Sequence, residues 1–252
     1  MKKKIKVLFA GESCIAQSTE FKGFDNFFCT RYNESSVILK NTLEKSGYEV
    51  THIPCHLIPF QFPKTIEKLE EYNAVIVSDV GANTFLLHPD TSRLCKRTPN
   101  LLKLIKTFVE RGGGFIMIGG YMTFQGIEAK GKYKDSVIEE ILPVNLLTYD
   151  DRVEVPEGAD LEIDIEVHEI LNGLPKKWPF ILGYNRLIAK EDAQVIVKYE
   201  SDPIITIGKY GEGRTIAYAT DCAPHWAPKE MYEWEYYDVL WDNLVKWATK
   251  EI

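Results

Sequence analysis

Compact apolar runs at Ile5–Ala10, Ala74–Val77 and Phe115–Ile118 predict strands buried on both faces. Tyr48–Ile53 alternates in character and predicts a fourth. Between these runs, apolar residues recur at helical spacing. Val37, Ile38 and Leu43 do so within Glu34–Ser46, and Leu101, Leu104, Ile105 and Phe108 within Asn100–Arg111. Thr65–Tyr72 predicts a shorter helix. Asn33 is placed to cap the helix that stops at Gly47. Gly11 to Tyr32 reads as a polar and aromatic loop, and Ala82–Thr98 as a second long loop. This β-α-β-α-β-α-β order predicts a parallel sheet with right-handed crossovers.

After a helical piece from Asp135 to Leu142 the rhythm changes. Val144–Val155, Leu161–Val167, Phe180–Leu182, Gln194–Tyr199 and Ile204–Ile207 predict extended, partly antiparallel strands. Lys209–Gly213 has the composition of a hairpin turn and leads into an apolar strand, Thr215–Ala219. A terminal helix is expected over Tyr232–Thr249, with Trp234, Tyr237, Trp241, Leu244, Val245 and Ala248 on one face. No repeat or linker interrupts the pattern, so a single domain over residues 1–252 is expected.

Composition narrows the function classes. Hydrophobic residues are 45% and charged residues 27% of the 252, the balance of a soluble globule. A net charge of −7 argues against nucleic acid or an anionic membrane as partner. The basic start MKKKIK precedes an apolar run too short for a signal segment, and no stretch is long enough to span a bilayer. Cys14, Cys29, Cys55, Cys95 and Cys222 follow no disulfide-framework spacing, which points to reduced thiols and a cytoplasmic chain. No cofactor is expected: Gly119-Gly120 lacks the spacing and the Lys-Ser/Thr ending of a phosphate loop. No metal site is expected either. His52, Cys55 and His56 carry zinc-ligand types, but Pro54 prevents a regular helix from aligning the two imidazoles.

The stretch Arg111–Gln125, RGGGFIMIGGYMTFQ, brackets an apolar strand with glycines and delivers Tyr121 at its end. Glu12 and Ser13 follow the first strand, Ser78, Asp79 and Gly81 the third, so both groups should line one crevice at the carboxyl edge of the sheet. Their carboxylates fit either a polar ligand with acid–base chemistry or the capping of nearby loops. Asp221, Cys222, His225 and Trp226 lie on the loop after the late apolar strand. His225 fits a general base or a structural loop histidine; Cys222 fits a Cys–His pair or a buried inert thiol.

Taken together, GGGFIMIGGYMTFQG, the late GRTIAYATDCAPHW and the aromatic terminal helix resemble the class I glutamine amidotransferase-like superfamily. The narrower resemblance is to its "putative glutamine amidotransferase" branch, related to trehalose-utilisation-type proteins. It implies an α/β, flavodoxin-like three-layer sandwich with a mostly parallel central sheet and extra β segments in the second half. In catalytic members a Cys on the elbow is activated by a late His oriented by Glu. By position the elbow residue here is Tyr121, the His is His225, and Gly81 lies where backbone N–H groups meet an oxyanion. Glu230 is spaced loosely from His225. A phenol, with a pKa near ~10, is a poor amide nucleophile, so the usual glutaminase chemistry is not expected. The resulting expectation is a crevice that binds a small polar, carbohydrate-like metabolite. Its catalytic residues would be Tyr121, His225, Asp221 and Glu12, its ligand-binding residues Ser13, Asp79, Gly81, Gly120, Cys222 and Trp226, with hydrolytic or isomerising chemistry through His225. Two other readings stay open: a non-catalytic homo-oligomeric module joined through the aromatic helix, and a true amidotransferase using Cys222.

Overall fold

A computed structural model describes residues 4–165 and 167–252. Lys2, Lys3 and Glu166, the last inside the expected Leu161–Val167 strand, lie outside the described residues. In chain order the strands are β1 (Lys6–Gly11), β2 (Cys14–Lys22), β3 (Asp25–Asn33), β4 (Glu49–Ile53), β5 (Ala74–Ser78), β6 (Gly114–Ile118) and β7 (Val144–Asn145). There follow β8 (Arg152–Ala159), β9 (Glu162–Ile163), β10 (Ile181–Asn185), β11 (Ile188–Ala189), β12 (Gln194–Tyr199), β13 (Asp202–Tyr210) and β14 (Gly213–Tyr218).

Eight of these form one sheet in the order β4-β1-β5-β6-β14-β13-β12-β9. The first five are parallel to their neighbours, and β13, β12 and β9 extend the sheet antiparallel. Numbered by their own sequence, the parallel strands run 2-1-3-4-5, the flavodoxin-like order, with its topological switch between β1 and β5. The apolar runs are in the sheet because both faces are covered. Every residue of β5 and β6 is buried. Val37–Lys45 and Tyr237–Ala248 pack together in one helical layer, while Leu101–Glu110 gathers the short helices Ile66–Leu69, Ala82–Leu86 and Val137–Ile141 in the other. Leu101–Glu110 starts on Asn100, whose side chain accepts the Lys103 N–H at 3.1 Å.

Several expectations shift. Gly11–Tyr32 is not a loop: from Cys14 onward it is the hairpin β2–β3, turning at Gly23-Phe24, and Asn33 ends its second strand instead of capping a helix. Its apolar residues meet no core and are mixed with polar ones on both faces, so no periodic run marked the strands. Ser36 takes the cap position. Ala82–Thr98 contains the short helices Ala82–Leu86 and Pro89–Leu94. The terminal helix is broken into Lys229–Tyr232 and Tyr237–Ala248, and Trp241 and Tyr237 on its apolar face are 0% and 2% exposed. Trp234 packs on Trp178, with ring centroids 5.5 Å apart. Most of the aromatic stripe is therefore packed inside the chain, with Trp234 partly buried at its start.

Candidate functional site

The switch point leaves the carboxyl ends of β1 and β5 side by side, with Gly11 opposite Ser78 in register. Gly11 must be glycine: its φ is 104°, and a Cβ there would lie 1.9 Å from the Ser78 carbonyl oxygen. The next residues carry the strain. Glu12 has φ 62° and Asp79 φ 41°, conformations that cost a non-glycine residue on the order of 1–3 kcal/mol and gather at functional sites. Both carboxylates are held by the chain's own donors, Glu12 by the Ser78 hydroxyl and Asp79 by the Met122 N–H.

Below the mouth, Glu12 is almost fully buried with Ser78 and Cys222. The Ser78 hydroxyl donates to Glu12 Oε2 at 2.6 Å, and the Cys222 thiol lies 3.8 Å from the same oxygen. Burial first, then the charges of Asp221 and Asp79, pushes the Glu12 carboxyl well up. Burial and then Asp79 do the same to Asp221. The Cys222 thiol, 0% exposed, is also driven well above its ordinary range, by burial first and then by Glu12 and Asp221. It is a neutral, enclosed thiol, so the ligand-binding role expected of Cys222 fails for lack of access, and a thiolate mechanism fails with it. Among the described residues the donor atoms of Glu12, Asp221 and Cys222 come within 4.8 Å of one another, a spacing a metal ion could use. Burial opposes the ionised form that each would need as a ligand.

At the mouth, Tyr121 and His225 meet. Their ring centroids are 4.2 Å apart, edge to face, and the imidazole stacks on Trp226 at 4.9 Å. His225 Nδ1 lies 3.5 Å from Asp221 Oδ2. Asp221, four residues earlier, thus lies beside the imidazole. Burial lowers the His225 pKa, leaving a neutral ring near pH 7. The Arg152 guanidinium sits over the Tyr121 ring at 4.5 Å. Glu154 ties the cluster together, accepting from the Tyr121 hydroxyl at 3.1 Å and from Trp226 Nε1 at 2.9 Å.

The glycine turn after β6 is not a nucleophile elbow. Such an elbow is a strained strand-to-helix turn. Here Gly120, at φ 147°, takes the unusual conformation, and residues 121–125 run on as turns and bends, with only a short 3-10 turn, Ile127–Ala129, beyond them. Asn185, fully buried on β10, clamps the turn by accepting the Gly120 N–H at 3.0 Å and donating to the Gly120 carbonyl at 3.2 Å. Asp151 holds Asn185 at 2.8 Å and also accepts the N–H groups of Gln125 and Gly126. Gly119 allows the turn to lie against β14, since a Cβ there would come 2.2 Å from the Ala219 carbonyl oxygen.

The amide after the elbow position is also taken. Met122 N–H donates to Asp79 Oδ1 at 2.8 Å, so the chain's own carboxylate sits where an oxyanion would be held. Gly81 begins the helix Ala82–Leu86 against Met122 and the carbonyls of Lys130 and Gly131, and the Ala82 N–H is spent on Gly131.

The structure therefore brings Tyr121, His225, Asp221, Asp79 and Glu12 to one place. Three expected ligand contacts are corrected. Ser13 is buried and turned the other way, donating to Ser36 Oγ at 2.8 Å; Trp226, at 1% exposure, backs the imidazole without facing solvent; Cys222 is sealed in. His52 is structural, bonded to the Gly11 carbonyl at 3.0 Å. Arg152, Glu154, Asn185 and Asp151 were missed in the sequence. Arg152 and Glu154 are two apart on an extended strand and share a face, a signal present in DDRVE but unplaced without the strand's partner.

The family model described as "Putative glutamine amidotransferase" matches residues 6–250. Cytoplasmic protein STM3548 from Salmonella typhimurium is 40% identical, with 97% of this chain and 99% of that one covered at a TM-score of 0.94. Cytoplasmic protein STM1381 from Salmonella typhimurium LT2 is likewise 40% identical over 97% and 99%, at 0.93. A thua-like protein from Parabacteroides merdae, 16% identical over 99% and 91%, shares the fold at 0.60. No curated protein matches the chain. No helix among the described residues is long and apolar enough to cross a membrane.

Proposed function

The chain belongs to the "Putative glutamine amidotransferase" family, and from that premise we propose that it is a member without glutaminase chemistry whose crevice binds a small, polyhydroxylated metabolite. One observation carries this reading: Arg152, Tyr121, His225 and Glu154 converge at the switch point with Asp79, giving aromatic surface beside donors and acceptors of both charges. A sugar-like ligand offers apolar C–H faces to rings and hydroxyls to carboxylates and guanidinium. His225, a neutral imidazole, would accept a ligand proton, and a protonated carboxyl of the Glu12–Asp221–Asp79 group would return it. That pairing supports a hydrolytic or isomerising step. Tyr121 positions the imidazole and does not attack, because burial and the Glu154 bond raise its phenol further. The cytoplasm is the proposed compartment, supported by five free cysteines and by the two Salmonella relatives named as cytoplasmic.

A thermal-shift panel of monosaccharides, disaccharides and sugar acids, run beside a glutamate-release assay, tests it. A ligand at 100 times its Kd adds about 2.7 kcal/mol, a rise of roughly 5–10 °C for a chain of this size. The expected result is such a rise for one class of polyol, lost in Arg152→Ala, with no glutamate released from glutamine. Glutamate release that vanishes in Cys222→Ser would overturn it.

A further inference from the structure

The hairpin β2–β3 leaves the fold directly after Glu12 and Ser13 and returns at Ser36, whose hydroxyl bonds Ser13. Between those points nine cross-strand pairs join it to itself, from Cys14–Asn33 to Lys22–Asp25. A two-stranded hairpin standing alone in water is marginal at best; it needs a third strand or a surface on its apolar face.

Its two faces differ in kind. Opposed residues share a face, so register sorts every side chain. Glu20, Lys22, Asp25 and Arg31, all the charged residues between Cys14 and Asn33, fall on one side. The other side holds Ile15, Phe21, Phe28 and Tyr32, separated only by uncharged residues. Those four are 55%, 75%, 70% and 48% exposed, and Phe24 at the turn projects fully into solvent.

We propose that this uncharged face is a homotypic docking surface, packed in solution against the same face of a second copy of this chain. Area and charge both favour that occupant. Aromatic side chains bury about 150–250 Å² each, so Phe21, Phe24, Phe28 and Tyr32 supply most of the ~800 Å² per partner of a standard interface. Two copies of a chain with net charge −7 repel wherever like charges meet, and this face brings none together. A two-fold contact needs one self-complementary patch, which an uncharged apolar sheet face provides. The inference stands apart from the crevice reading, because no ligand contact enters it.

Light scattering and hydrogen exchange test it on the whole chain. The wild type is expected to show at least twice the 28.9 kDa chain mass at tens of micromolar. Phe21→Glu with Phe28→Glu should give the single-chain mass, raising the dissociation constant at least about 100-fold with unchanged circular dichroism. In the wild type, amides of residues 15–32 should be protected at high concentration and lose that protection on dilution. This second readout needs no variant. A monomeric wild type would overturn the proposal and assign the face to a different partner. So would an assembly that survives both substitutions, or hairpin exchange independent of concentration.

Discussion

At the scale of single residues, the site is defined by carboxyls held out of water. The folded-state pKa of Glu12 lies above its unfolded value, so its contribution to stability is complete below the ordinary carboxylate range and is lost as pH rises through the raised value. Glu12→Gln removes that penalty while keeping an acceptor for Ser78. Its melting temperature should exceed the wild type's by a few degrees at about pH 8, and the gap should close by about pH 5. A gap that widens in acid would reverse the sign assigned to Glu12. Gly119 sets a steric limit of a different kind. Its missing Cβ would collide with backbone at 2.2 Å and with Asn185 Oδ1 at 2.8 Å. Gly119→Ala should lose about 1–3 kcal/mol or more, read by urea unfolding. A neutral outcome would show that the β6–β14 contact relaxes easily.

Among secondary-structure elements, what was legible depended on whether each one faces the core. β1, β5 and β6 are buried on both sides, and their apolar runs declared them; Leu101–Glu110 announced itself by spacing and its Asn100 cap. The hairpin β2–β3 has no such run: polar Gln17, Thr19, Asn26 and Thr30 share the face of Ile15 and Phe21, and that face meets solvent, so pattern alone read as a loop. The terminal aromatic helix erred oppositely: spacing located it, and tertiary packing absorbed its rings. Trp241 stacks near Tyr218 at 5.0 Å and is fully buried. Trp241→Ala should therefore cost about 3–5 kcal/mol without changing the mass in solution. Dissociation of an assembly by that substitution, with the fold retained, would move the interface back to the helix.

Across the whole molecule, the parallel order 2-1-3-4-5 explains why residues 12, 79, 121 and 225 meet despite their separation: each follows a strand, and all those strands end at one edge. That much of the site could be read from sequence. Arg152, Glu154 and Asn185 could not, because β8 and β10 reach the crevice as a separate two-stranded ribbon whose partner choice no periodicity reveals. The opposite edge offers a competing location. A cavity of about 440 Å³ opens there, lined by Ile5, Tyr48, Asp242 and Lys246 among others. Amide chemical-shift mapping with the strongest polyol ligand separates the two directly. Perturbations gathered on Tyr121, Met122, Arg152 and His225 are the expected result; perturbations confined to the Tyr48–Asp242 cavity, with the strand ends unmoved, would contradict the crevice as the binding site.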